Sequence, residues 1–179
     1  MKKTIQLAIA TVPLVLAACA STPTGTASAP AAPAANPAAA IEVPAGNKAV
    51  LTLRGTGLLT YECRAKGDAF EWAFVSPDAV LRDKETVVGK YYGGPTWEHN
   101  DGSKVTGKQL AVAPASPGNI PLQLVQANPA TGTGAFTGVT YIQRINTNGG
   151  VAPTDPCNAQ TVGTKKTNYY AADYVFYKP

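Results

Sequence analysis

The densest run of side chains that could do chemistry is Trp97-Glu98-His99-Asn100-Asp101. Two carboxylates at Glu98 and Asp101 could act as general acid and base, a pair that glycoside hydrolysis needs roughly 5–10 Å apart. His99 is the single histidine of the chain, so a metal site with two histidines is excluded, and the carboxylate spacing does not match a calcium loop. We therefore expect no metal and no cofactor. The enzyme hypothesis is a cofactor-free, hydrolase-like activity of Glu98, His99 and Asp101.

A second interpretation of the same segment is ligand binding through aromatic rings. Rings beside the Gly93-Gly94-Pro95 turn could stack on a sugar while neighbouring polar groups bind its hydroxyls. The simpler alternative, favoured by residue type, is that Trp97 and one tyrosine fill the core and Asn100-Asp101-Gly102 forms a turn. Because residues 91–101 break strand alternation, we expect any ligand-facing surface to be centred there. The candidate binding residues are Tyr91, Tyr92, Trp97, Glu98, His99 and Asp101.

The elements that must position this segment are predicted to be strands. Phe70, Trp72 and Phe74 alternate with small or polar residues, the pattern of a half-buried strand. Burial in the core would fully explain these three and also Tyr174 and Phe176. Residues 48–54 and 58–63 flank Gly55-Thr56-Gly57 as the two arms of a hairpin would. Further strand-like runs cover residues 109–112, 120–126, 139–145 and 170–177.

No helical periodicity is sustained after residue 45, and Gly and Pro separate the short strand-like runs. This pattern is typical of one antiparallel all-β domain, either a sandwich or a barrel. The two architectures stay open, because closure of a sheet depends on strand pairings that the pattern does not reveal.

The chain contains three cysteines. Cys63 and Cys157 form an even pair that would be oxidised in an exported protein, so we expect a disulfide between them. It would close a loop of about 95 residues, with Cys63 on the same strand face as Leu59 and Tyr61. A reactive thiol pair or a metal site is disfavoured, because the spacing is not C-x-x-C.

The first residues have the parts of an export signal. Lys2 and Lys3 precede the mostly apolar run from Ile5 to Leu16, which is too short to span a membrane permanently. The following Leu16-Ala17-Ala18-Cys19 resembles a bacterial lipobox, so Cys19 is expected to be lipidated after cleavage and to anchor the protein in the membrane. In an ordinary secretory signal Cys19 would be incidental. By resemblance to lipoprotein sorting, Ala20 favours the outer membrane.

Composition divides the rest of the chain. Residues 20–40 contain no aromatic, large aliphatic or charged side chain, and their prolines exclude an uninterrupted helix, which predicts an extended tether. The expected organisation is a signal peptide over 1–18, a lipidated cysteine and tether over 19–44, and the domain over 45–179.

Lys2 and Lys3 are two of the 15 basic residues, and removing them with the signal peptide leaves 13 basic against 11 acidic residues. No basic patch indicates nucleic-acid binding.

An ordered series of motifs resembles DUF3455, an uncharacterised family of bacterial envelope and fungal secreted proteins. The motifs are Gly94-Pro95-Thr96-Trp97-Glu98, Asp101-Gly102-Ser103, Ile120-Pro121-Leu122, the run from Val139 to Thr147 continuing through Gly149 to Cys157, and Tyr170 to Tyr177. The resemblance implies a disulfide-permissive location and no established activity. The expected function is a lipid-anchored envelope protein whose domain is a non-catalytic binding module. Its partner would be a glycan, a cell-wall ligand or an envelope protein.

Overall fold

The computed structural model describes residues 37–179, and the predicted signal peptide, Cys19 and most of the tether lie outside the described residues. The elements are α1 (Pro37–Ala40), β1 (Lys48–Lys66), β2 (Ala69–Asp83), β3 (Thr86–Tyr92), β4 (Thr96–His99), β5 (Lys104–Ala113), β6 (Leu122–Ala127), β7 (Tyr141–Gly149) and β8 (Lys165–Lys178). Each strand pairs antiparallel with the next, and β8 pairs with β1. The all-β prediction is confirmed, and the architecture is a closed barrel in sequence order.

β1 is one continuous strand, so the predicted hairpin around Gly55-Thr56-Gly57 is wrong. The two glycines are needed because other atoms occupy the space where their side chains would lie. A Cβ on Gly55 would collide with the Tyr174 ring, and one on Gly57 with the backbone of β2 at Asp78 and Ala79. Glycine inside a strand commonly marks such a close approach.

The hairpin of β1 and β2 contains a bulge that shifts the pairing from Thr60↔Ser76 to Tyr61↔Phe74. Beyond it, Phe70, Trp72 and Phe74 pair with Ala65, Cys63 and Tyr61, so the three aromatic residues share a face, as predicted. The expectation that burial explains the aromatic positions is confirmed for Tyr174 and Phe176, and Trp72 packs against the core, but it is wrong for Phe70 and Phe74, which are 38% and 52% exposed. The face they share is at the end of the barrel rather than in its core.

The core lies inside the barrel and is rich in aromatic residues. Trp97 stacks on Tyr91 with ring centroids 4.8 Å apart and meets Tyr174 edge-on at 5.6 Å. Phe136, from the β6–β7 connection, enters the core and packs on Phe176 at 4.6 Å. Edge-to-face and offset arrangements of this kind add to the stability that burial provides.

A second apolar cluster lies on the outside of the barrel, against β5, β6 and β7. Ile41 is 2% exposed and packs there with Ala113 and Leu124, and its carbonyl accepts a hydrogen bond from Gln143 at 2.7 Å. The folded part therefore begins before residue 45, the boundary expected from the sequence. Within the described residues, no helix has the length and apolar character needed to cross a membrane.

The predicted disulfide is confirmed. Cys63 on β1 is bonded to Cys157 in the β7–β8 connection, with Cα atoms 5.5 Å apart. The bond fastens that connection to the β1–β2 hairpin. Trp72 adds a hydrogen bond from Nε1 to the Asp155 carbonyl at 2.9 Å.

Candidate functional site

The structure distributes the six candidate residues of the 91–101 segment over three environments. Tyr91 and Trp97 are buried inside the barrel. The side chains of Tyr92 and Glu98 contact each other on the outer face, and His99 and Asp101 lie where β4 ends. The six side chains therefore do not form one surface.

The two buried rings are part of the packed core. Trp97 is 0% exposed, and its ring is covered by Tyr91, Tyr174 and Phe176. The core interpretation is therefore the one the structure supports for Trp97 and Tyr91. Trp97 offers no free face on which a sugar could stack from outside.

Glu98 is held on the outer face by three donors. Tyr92 donates its hydroxyl to Oε2, and the ammonium groups of Lys104 and Lys90 lie 3.1 and 3.3 Å from the carboxylate. The hydrogen bond from Tyr92, followed by that from Lys104, lowers the pKa of Glu98 to about 2. Lys90 also lies over the Tyr92 ring at 5.4 Å, so this ring face is already covered.

Asp101 joins the β4–β5 turn to the β6–β7 connection. Its Oδ1 accepts hydrogen bonds from the backbone N–H and hydroxyl of Ser103 at 2.8 and 2.6 Å, and Oδ2 accepts from the Ala135 N–H at 2.7 Å. His99 Nδ1 lies 2.9 Å from Oδ2. The Ser103 hydroxyl, the largest favourable contribution, lowers the pKa of Asp101 to about 2. Ser103 in turn accepts from the Phe136 N–H, so the network holds the Phe136 plug in place.

The three side chains of the hydrolase hypothesis lie in two networks, Glu98 with Tyr92 and two lysines, and His99 with Asp101. The donors around Glu98 and Asp101 lower the pKa of each carboxylate to about 2, which favours the ionised form of both at neutral pH. Ser103 is fully buried; its hydroxyl donates to Asp101, and its carbonyl accepts from the His99 N–H. Among the described residues, no group of three or more His, Cys, Asp or Glu side chains is placed to hold a metal ion.

A cavity of about 540 Å³ lies at the end of the barrel formed by the β3–β4 turn and the β5–β6 connection. We call it the mouth cavity. Side chains from β1, β2, β3, β5, β6 and β7 line it, and its size is within the range of small-molecule sites. Slightly more than half of the lining is apolar, and Tyr91 from the predicted segment contributes to it. The lining residues used below are Tyr61, Phe74, Gln109, Ile120, Gln123 and Arg144.

The mouth cavity contains one charged side chain, Arg144 of β7, and no acidic residue lines it. Arg144 donates from Nε and Nη2 to the Pro121 carbonyl at 3.1 and 2.9 Å. Burial raises the pKa of Tyr61 and Tyr91, and the nearby charge of Arg144 opposes this in part. These phenols are therefore neutral at neutral pH, and the guanidinium faces them as an uncompensated cation.

Two amides and an aromatic pair complete the rim. Gln123 Nε2 donates to Gln109 Oε1 at 2.6 Å, and the ring of Phe74 meets that of Tyr61 edge-on at 5.8 Å. Apolar surface combined with a few well-placed polar groups can hold a small molecule in a fixed orientation.

A second cavity, of about 760 Å³, lies around the β6–β7 connection and Pro179. No Asp, Glu, Lys, Arg or His side chain is among its lining residues. The mouth cavity is therefore the better candidate for a specific site.

Sequence reasoning missed Arg144, Gln109 and Gln123 as site residues. In β7, Ile142 is buried inside the barrel while Gln143 bonds to Ile41 and Tyr177 outside it. Strand alternation places Arg144 on the same face as Ile142. Because Tyr141 and Ile145 make the opposite face equally apolar, the pattern does not show which face lies inside the barrel. The signal that could have found Arg144 is its shared phase with Ile142.

Comparison with known proteins gives one result. The model of the family described as "Protein of unknown function (DUF3455)" matches residues 44–90 and 83–178. Neither the curated proteins nor the solved structures contain a match. The matched residues cover nearly the whole barrel, including β4, the disulfide and the mouth cavity, and the chain therefore belongs to the DUF3455 family.

Proposed function

We propose that this protein is a non-catalytic binding module of the cell envelope, and that its ligand enters the mouth cavity. The observation that carries the proposal is the cavity itself, about 540 Å³ with side chains from six strands. Eight-stranded barrels are wide enough to hold one small ligand. The packed core below would form the floor, so a ligand would lie at the end of the barrel.

Exposed apolar rings at the rim support this proposal. Phe74 is one of the larger exposed apolar side chains, and it lines the cavity beside Tyr61. Exposed apolar surface bordered by polar groups is typical of ligand-binding sites. A glycan or cell-wall fragment stays among the ligands to test, because Phe74 and the two rim amides could bind its ring and hydroxyls.

The test uses two phenylalanines on the same face of the β1–β2 hairpin. Phe74 lines the mouth cavity and Phe70 does not. The exported protein is screened by saturation-transfer NMR against a fragment set that includes sugars, muropeptides and small aromatic compounds. We expect fragments that bind the unchanged protein and Phe70→Ala, and that are lost in Phe74→Ala. Equal binding to both variants would place the ligand elsewhere, and no binding at all would count against a binding module.

We also propose that Cys19 carries a lipid, and that this lipid anchors the protein in the outer membrane. The support is the lipobox-like Leu16-Ala17-Ala18-Cys19 and the following Ala20. Replacing Cys19 by Ala should leave the precursor unprocessed by the lipoprotein route and remove the lipid, because the cysteine is the acylated residue. Mass spectrometry of the N-terminal peptide measures both effects. A Cys19→Ala protein that still carries acyl chains would contradict the assignment.

A further inference from the structure

We propose that the ligand of the mouth cavity is a small, largely apolar molecule with a carboxylate group, and that Arg144 binds this carboxylate. The inference rests on the proposed function, since it requires that the mouth cavity is the binding site. It adds the chemical class of the ligand and the residue that selects it.

The first step concerns the charge of Arg144. Its guanidinium carries five N–H groups, and the two hydrogen bonds to Pro121 use only two of them. Among the described residues no acidic side chain lies within ion-pair distance of Arg144. By contrast, Arg54 and Arg64 pair with Asp173 and Glu62. A cation that faces a cavity without a counter-ion favours an anion there.

The second step concerns geometry. The Pro121 carbonyl accepts from Nε and Nη2, which fixes the plane of the guanidinium and leaves the Nη1 side free. A planar guanidinium held in this way can bind a carboxylate through two hydrogen bonds. The amide pair of Gln109 and Gln123 lies at the same cavity and offers a further N–H donor.

The third step concerns the rest of the ligand. The remaining wall is formed by apolar and aromatic side chains, among them Leu59, Phe74 and Ile120. Burying the apolar surface of a ligand against these side chains is favourable, whereas a compact inorganic anion has no apolar surface to bury there. A ligand with an apolar body and one carboxylate can contact the apolar wall and bind Arg144 at the same time.

The experiment compares three probes that share an apolar body. They are 4-phenylbutyrate, its uncharged amide and the corresponding amine, each titrated calorimetrically into the exported protein. We expect the carboxylate to bind about tenfold more tightly than the amide or better, the effect of a charge-assisted hydrogen bond, and the amine to bind most weakly. In Arg144→Met the advantage of the carboxylate over the amide should disappear, while Arg144→Lys should keep part of it.

The control variant is Arg82→Met, since Arg82 bonds to the Glu85 carbonyl at the opposite end of β2 and should not affect the preference. Equal affinity of carboxylate and amide for the unchanged protein would overturn the inference while leaving the binding module in place. Failure of all three probes and of the fragment screen would overturn both. Since the comparison of probes uses the unchanged protein, it decides the question even if Arg144→Met does not fold.

Discussion

Asp101 accepts hydrogen bonds from donors in two separate parts of the chain, Ser103 in its own turn and Ala135 in the β6–β7 connection. Phe136, the next residue after Ala135, is fully buried in the barrel. The carboxylate therefore holds Phe136 in place, which gives the polar β4–β5 turn a structural role. Its low pKa is a consequence of these donors, because each of them stabilises the ionised form.

The role of Asp101 predicts a specific pH dependence. Its pKa is lowered from 3.8 to about 2 in the folded protein, so ionised Asp101 stabilises the fold above its ordinary pKa, and this contribution is lost as the pH falls through 2. The stability difference between the unchanged protein and Asp101→Asn should therefore shrink between about pH 5 and pH 2. Urea unfolding at several pH values measures it. In Ser103→Ala, which removes the main donor, the pKa of folded Asp101 should move back toward its ordinary value, so the pH-dependent loss should be smaller and complete at a higher pH. Parallel curves for the unchanged protein and Asp101→Asn would contradict this role.

The two tryptophans should differ in their effect on stability. Trp97 is 0% exposed and surrounded by three aromatic rings, so Trp97→Ala should cost about 3–5 kcal/mol of unfolding free energy. Trp72 is only partly buried and bonds to Asp155, so Trp72→Ala should cost clearly less. Thermal melting of both variants makes the comparison. A Trp97→Ala protein that melts like Trp72→Ala would show that the ring is not a core residue.

Some residue roles follow from the sequence and others depend on the fold. The opposite orientations of Glu98 and His99 follow from strand alternation, and the structure shows them in separate networks. The partners of these residues could not be predicted, because Lys104 and Ala135 come from other elements. Arg144 is the strongest example, since its importance depends on the absence of an acidic side chain from the lining of the mouth cavity, to which five strands besides β7 contribute.

At the level of elements, β1 shows how glycine can be misinterpreted. Leu53, Leu59, Tyr61 and Cys63 all face inward, and this odd-numbered phase continues unbroken through Gly55 and Gly57. A turn of three residues would have reversed the chain instead. The unbroken phase was therefore the better signal, and the glycines mark contacts with Tyr174 and β2.

Alanine substitution can test this explanation of β1. A Cβ on Gly57 would collide with the Asp78 carbonyl oxygen and Ala79 Cα. Because both atoms are backbone, Gly57→Ala should force the strands apart and cost about 1–3 kcal/mol. Gly93 lies in the β3–β4 turn, and its nearest neighbour would be Ser76 Cβ at 3.5 Å, so Gly93→Ala is the tolerated control. Chemical denaturation of both variants gives the comparison, and equal stability would argue that β1 and β2 are not closely paired at Gly57.

The bulge between β1 and β2 limits prediction in a different way. The sequence predicts correctly that Phe70, Trp72 and Phe74 lie on one face of β2. The extra residue at the bulge, Val75, shifts the alternation, so that Pro77, Ala79 and Leu81 are the inward-facing residues after it. A sequence pattern cannot show where a hairpin extends past the barrel, because alternation is the same inside and beyond it. Alternation therefore predicts core positions for Phe70 and Phe74, although both lie at the end of the barrel.

For the molecule as a whole, barrel closure brings the first and last strands together, since β1 pairs with β8 along most of its length. The packed aromatic residues and the Phe136 plug fill one end, and the mouth cavity remains at the other. The all-β class was predictable from alternation and turn residues. Closure and the cavity were not, because they depend on how eight strands pair and tilt.

The disulfide acts on this closed barrel as a whole. Cys63 and Cys157 are 94 residues apart, so the bond restricts the unfolded chain over β2 to β7, and the chain-entropy model gives about 4–5 kcal/mol for such a loop. We expect the Cys63→Ala/Cys157→Ala double variant to unfold at a clearly lower urea concentration than the oxidised protein. Reductant should lower the midpoint of the unchanged protein to a similar value and leave the double variant unaffected, which controls for effects of the reductant elsewhere. The bond also fastens the β7–β8 connection to the hairpin that carries Phe74. The double variant should therefore bind the probes at the mouth cavity more weakly than the oxidised protein, even without denaturant, where both proteins are folded. Unchanged unfolding midpoints, or free thiols at both positions after alkylation without reductant, would contradict the structural role of the disulfide.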